Sequence, residues 1–220
     1  MKTLGLALSM LVLGGSTAQA AYVFGYSGGT PNSLILNGGA ITLSTSTDLL
    51  ALGNNQGWWS PTSSNSDSND NFIAGTDGPY NDFFTFSLAD VQGPITDAVL
   101  RLGGSYSHSG LPLTYSIFDV STDPVTLNTN VGTSQAIYDD LGSGVLYGSI
   151  LVTSLTNPTD VPLNAAGLAA LNDAISGAAE YFSIGGTTSP GTAPIPEPGT
   201  ALLLGAALAG FGLLRRRLNG

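Results

Sequence analysis

From residue 21 to residue 192 the chain is built of short runs in which apolar and polar residues alternate. Phe84, Phe86 and Leu88 share one phase, as do Ala98, Leu100 and Leu102, and again Leu113, Tyr115 and Ile117. A period of two sends successive side chains to opposite faces of a strand, so each run buries one face and wets the other. Such runs fall at 22–26, 33–37, 40–44, 72–74, 83–88, 98–102, 113–119, 145–152 and 181–184, separated by Gly, Asn, Asp, Ser and Pro clusters that turn the chain. Short strands with frequent turns predict an all-β fold, an antiparallel β-sandwich or jelly roll over residues 21–184. One stretch departs from the pattern. Asn164 can cap a single short helix running to about residue 176, with Leu168, Leu171 and Ile175 on one stripe and Gly177 as its stop. Residues 185–194, rich in Gly, Thr, Ser and Pro, read as a flexible linker. With no cysteine anywhere, the fold must rest on its apolar core.

Charge narrows the partners. Between residues 21 and 192 fourteen carboxylates face one basic residue, Arg101, which leaves the body near −13. Binding to a phosphate backbone requires Lys and Arg to displace its counterions, so nucleic acid is excluded as a partner. Anionic membrane surfaces are disfavoured for the same reason, whereas neutral sugars and divalent cations are not. Polarity is carried instead by Ser, Thr, Asn and Gly, and charged residues make up only 9% of the chain.

Both ends of the chain are apolar. Lys2, the run 4–13 and the small residues Ala18 and Ala20 form the n-region, h-region and cleavage site of a secretory signal peptide, so residues 1–20 are expected to form a signal helix that signal peptidase removes. At the other end Pro196, Glu197 and Pro198 precede an apolar run at 201–214 and the cluster Arg215, Arg216 and Arg217. The two prolines forbid helix and hold the backbone extended. The run, as a helix from about residue 200 to 214, spans roughly 21 Å against a hydrocarbon core of roughly 30 Å, which makes a marginal transmembrane helix. Three arginines act as a stop-transfer signal and keep the C-terminus in the cytoplasm. Everything between the two ends then lies outside the cytoplasm.

This order of parts, over residues 195–220, resembles the PEP-CTERM sorting tail of exported proteins in Gram-negative bacteria. The resemblance implies recognition by a membrane-embedded exosortase, transient anchoring in the inner membrane, removal of the segment after the Pro-Glu-Pro motif, and retention at the cell surface or among exopolysaccharide in a biofilm matrix. Three blocks of the body, at 69–75, 81–88 and 93–102, look like a module recurrent among such proteins. The last two are also similar to the DNRLRE type of jelly roll, a resemblance that implies fold and an association with polysaccharide.

Candidate chemistry is sparse. The single histidine, His108, sits in a polar Ser-Tyr-Ser-His-Ser-Gly stretch with no Gly-x-Ser-x-Gly elbow, and reads as a solvated loop residue. Nothing singles out a glycosidase pair among the carboxylates. Asn65, Asp67, Asn69 and Asn71 alternate as oxygen ligands of calcium do, with Asp70 and Asp77 nearby, but Phe72 and Gly78 stand where an EF-hand needs Gly and Glu. A looser calcium site is the remaining metal option, and no other cofactor is expected. Asp139 to Gly144 reads as an acidic turn. Trp58 and Trp59 are adjacent, so an extended backbone can bury one and expose the other. An exposed indole offers a sugar ring a flat apolar face with a polar edge, which makes the two tryptophans the glycan-stacking candidates, with core filling or loop anchoring as the plainer reading of both. The expectation is a non-catalytic surface or matrix protein; the alternative is a calcium-assisted carbohydrate-binding module.

Overall fold

The computed structural model describes residues 23–25, 31–45, 55–66, 71–75, 79–103, 111–154 and 158–191. Two antiparallel sheets face each other. One has four strands in the order β10 (Thr159–Pro162), β7 (Ala98–Leu102), β2 (Ser33–Leu36) and β3 (Ile41–Ser44). The other has five, in the order β4 (Gln56–Trp59), β6 (Asn81–Ser87), β11 (Tyr181–Pro190), β8 (Leu113–Asp119) and β9 (Leu146–Val152). β1 (Val23–Phe24) and β5 (Ala74–Gly75) form a further small antiparallel ladder.

The alternating phases read from the sequence do meet in one core. Leu34, Leu36, Leu100, Leu102 and Val161 from the four-stranded sheet pack with Phe84, Phe86, Leu113, Tyr115, Ile117 and Ile184 from the five-stranded sheet. Strands 98–102 and 113–119 lie where alternation places them. The expected helix forms as α3 (Ala165–Ser176): the Asn164 side chain accepts from the N–H groups of Ala166 and Gly167, and Gly177 closes the C-terminus. Its apolar stripe adds buried Leu171 and partly buried Leu168 and Ile175 to the same core.

Several expectations need correction. The described residues include two further short α-helices, α1 (Pro124–Thr129) and α2 (Gln135–Leu141), capped by Asp123 and Ser134. At six and seven residues they are too short to show a helical period. They cover the outer face of the five-stranded sheet, α2 lying over β6, β11 and β8, and create a second core of Trp59, Phe83, Leu127 and Leu141. That cover also hides β4 from a periodicity reading, since all four of its residues are buried and none alternates. β10 is short and closes on Pro162 at a sheet edge, where a missing N–H breaks no ladder. The linker expected from residue 185 is displaced: β11 continues to Pro190 with β8 alongside it, because Gly and Thr here pack beneath other elements. The signal helix at 1–20 and the transmembrane run at about 200–214 lie outside the described residues. Among the described residues no helix is long and apolar enough to cross a membrane.

Candidate functional site

β4 pairs with β6 so that Trp58 stands opposite Asp82 and Trp59 opposite Asn81. The two indoles therefore leave opposite faces of the sheet, as adjacent strand residues must. Trp58 meets Tyr80 edge to face, with ring centroids 4.8 Å apart. Trp59 enters the second core, where its Nε1–H donates to the Leu127 carbonyl at 3.0 Å. Gly57 between them is required by close approach, because a Cβ there would run into the Asn130 side chain. Both indoles are buried, at 7% and 5% exposure, so both fill core and neither offers the open platform that glycan stacking needs. The reason is that both faces of the sheet are covered at this edge.

The most unusual chemistry lies one strand inward. Asp82 shares its phase with Phe84 and Phe86 and is completely buried. Tyr115, also fully buried, donates its hydroxyl hydrogen to Asp82 Oδ1 at 2.8 Å. These residues sit on β6 and β8, with β11 between them. They meet because β11 has Gly186 opposite Asp82, where a Cβ would collide with both Asp82 Oδ1 and the Tyr115 hydroxyl. Loss of solvation pushes the Asp82 carboxyl up to about 8, against the opposing pull of the Tyr115 hydrogen bond. Burial likewise carries the Tyr115 phenol well above its ordinary value, reinforced by the Asp82 charge and by the hydrogen bond.

At neutral pH the carboxyl is thus held as the neutral acid. Its Oδ2, the Trp58 Nε1 and the Thr188 Oγ1 are buried without a hydrogen-bond partner among the described residues. The strand registers place all three residues on one face of the sheet, since Trp58 pairs with Asp82, Asp82 with Gly186, and Thr188 lies two residues on. Complete burial leaves this acid in contact with protein groups, the Tyr115 hydroxyl first among them. Sequence reasoning missed Asp82, although its phase with Phe84 and Phe86 was the available signal.

The other candidates are dispersed. His108 lies outside the described residues, as do Asp67, Asn69, Asp70 and Asp77 of the calcium reading. Asn65 is described and buried, and its side chain serves the fold: Nδ2 donates to the Trp58 carbonyl and to Asn130 Oδ1, while Oδ1 accepts from the Ser66 N–H. Among the described residues no three His, Cys, Asp or Glu side chains gather as a metal site would require. The acidic turn is in part helix, because Asp139 and Asp140 belong to α2. Burial pushes the Asp140 carboxyl up, but hydrogen bonds from the hydroxyls and N–H groups of Ser121 and Thr122 outweigh it and hold it below the ordinary value. An open groove of about 560 Å³ runs between the 91–94 loop and the end of α3. Of its wall residues, Asn172 is committed to both backbone groups of Ile95.

Past these sites the chain leaves the body at Gly191, whose N–H donates to the Pro112 carbonyl at 3.0 Å. No curated protein matches the chain. The family model of the PEP-CTERM protein-sorting motif matches residues 194–217, a span that takes in Pro196, Glu197, Pro198, the apolar run and all three arginines. The chain therefore carries a PEP-CTERM protein-sorting motif and is, on that motif, an exported protein sorted by exosortase.

Proposed function

We propose that this protein is a non-catalytic surface or matrix component, released from its membrane anchor by exosortase after Pro198 and retained among exopolysaccharide outside the cell. The observation that carries the reading is the sorting motif at 194–217, placed directly behind a folded, acidic β body. Support comes from the body as well. The acid displaced furthest from its ordinary value, Asp82, is sealed between two sheets, and the tryptophans are used as packing. A carbohydrate-binding module built on an exposed indole loses its platform for the same reason.

Exchange of Glu197 for Lys in the producing cell tests the sorting step. The expected result is accumulation of the chain in the inner-membrane fraction, with loss from the surface and medium. Unchanged release of the variant contradicts the reading.

A further inference from the structure

A polar group enclosed between two sheets has given up its hydrogen bonds to solvent and needs others in their place. One buried knot in this body closes on itself: Asn32 Nδ2 and Thr45 Oγ1 both donate to Gln56 Oε1, at 2.7 and 2.6 Å, and Asn32 Oδ1 accepts from the Gly103 N–H at 2.8 Å. The group around Asp82 does not. Asp82 Oδ2, Trp58 Nε1 and Thr188 Oγ1 each lack a partner, although Asp82 is fully buried and Trp58 and Thr188 are only 7% exposed.

Register ties the three together. Trp58 on β4 is directly opposite Asp82 on β6, Asp82 is opposite Gly186 on β11, and Thr188, two residues on and so on the same face, is opposite Tyr115 on β8. The carboxyl leans over Gly186, since a Cβ there would meet it together with the Tyr115 hydroxyl. Asp82 therefore has Trp58 on one flank and Thr188 on the other. Their chemistry keeps them from satisfying one another. Tyr115 donates to Oδ1, so the proton of the neutral acid belongs on Oδ2 and makes it a donor, and the indole Nε1–H can only donate. A ligand for this group has to accept from both and also serve the Thr188 hydroxyl. Two donors aimed at one place disfavour a cation. An anion has no cationic side chain to hold it, because Arg101, the single basic residue of the body, is paired with Asp160 on the other sheet. A small, uncharged group that both donates and accepts is left, which is water.

We propose that Asp82, Trp58 and Thr188 form a binding site for internal water between the two sheets. Asp82 Oδ2–H and Trp58 Nε1–H donate to this water, and the water donates to Thr188 Oγ1. The site meets the usual condition for internal water, several polar partners in a place closed to solvent. It also joins β4 to β6 and β11 through side chains, in addition to the backbone ladder. The assignment is independent of how the chain is sorted.

The two tryptophans of the chain supply both probe and control. The full chain, carrying isotope-labelled tryptophan and purified in detergent, gives two indole N–H signals in its nuclear magnetic resonance spectrum. The Trp58 signal is the one lost in Trp58→Phe, which keeps an aromatic ring against Tyr80. The expected result is a cross-peak between water and the Trp58 indole with opposite signs in NOE and ROE spectra, the mark of bound water rather than proton exchange. At the Trp59 indole, already bonded to the Leu127 carbonyl, the cross-peak is expected to be at least tenfold weaker. Asp82→Asn removes the carboxyl proton, keeps a polar partner and is expected to retain the Trp58 cross-peak, whereas Asp82→Leu is expected to reduce it at least tenfold. Thr188→Val, which keeps the side-chain shape, reads the same loss at twofold or more and serves in place of the leucine variant if that one does not fold. No water cross-peak at Trp58, an equal one at Trp59, or its disappearance in folded Asp82→Asn overturns the proposal. A cross-peak unchanged in the folded Asp82→Leu or Thr188→Val chain overturns it as well.

Discussion

The two edge strands of the five-stranded sheet solve the same problem in opposite ways. Each presents one row of backbone groups that no neighbouring strand can satisfy. β4 is smothered: α1 and α2 cover one face, Trp58 and Trp59 fill both, and Asn65 and the Gly132 segment close over its end. At 149–152 β9 receives no backbone hydrogen bond from any described element other than β8, and the strand carries exposed leucines. The difference shows that Trp58 and Trp59 serve as packing, whereas the large apolar side chains left exposed at the other edge of this sheet are aliphatic.

The contrast can be broken most sharply at Trp59. Its replacement by Ala removes a buried indole and a hydrogen bond, and is expected to cost about 3–5 kcal/mol in denaturant unfolding. A loss no larger than that of a surface substitution would show that β4 is not a buried edge.

A comparable effect is expected at Asp82, where pH supplies the handle. Its folded value is about 8, against 3.8 in the unfolded chain. The unfolded chain gives up the proton first, so the stability contributed is full below 3.8, falls as pH rises from there to about 8, and is flat above. Asp82→Asn keeps an acceptor for Tyr115 and is expected to flatten that slope, gaining on the order of 2–4 kcal/mol over wild type at pH 8. Parallel pH profiles for the two proteins would remove the buried neutral acid from the account. Gly186→Ala, which forces a methyl group between Asp82 and Tyr115, is expected to cost about 1–3 kcal/mol.

At β9 the expected stability effect is the smallest. Leu151→Lys should change unfolding by no more than about 0.5 kcal/mol, because the side chain is already 45% exposed. A large loss of stability there would mean that the exposed leucine packs as the buried tryptophans do.

Legibility followed burial. Strands with one wet face, such as 98–102 and 113–119, announce themselves by alternation, and α3 announces itself through Asn164, its stripe and Gly177. β4 was hidden because Gln56, Gly57, Trp58 and Trp59 are all buried, and α1 and α2 because a helix of two turns has no period to read. Gly185 and Gly186 looked like linker and are strand, their smallness being demanded by the Leu141 backbone and the Asp82–Tyr115 contact pressed against them. The tryptophans were legible as a pair on opposite faces but not as a buried pair, since Trp59 is covered by Leu127, 68 positions on, and Trp58 by Tyr80. The sorting motif needed no fold at all to be read, because its parts act in sequence order.

Mass spectrometry of the C-terminus of the protein recovered from cell surface and medium tests the central claim most directly. A terminus at or close to Pro198 is the expected result. An intact chain ending at Gly220 in that fraction would contradict sorting by cleavage, and with it the function proposed for the body.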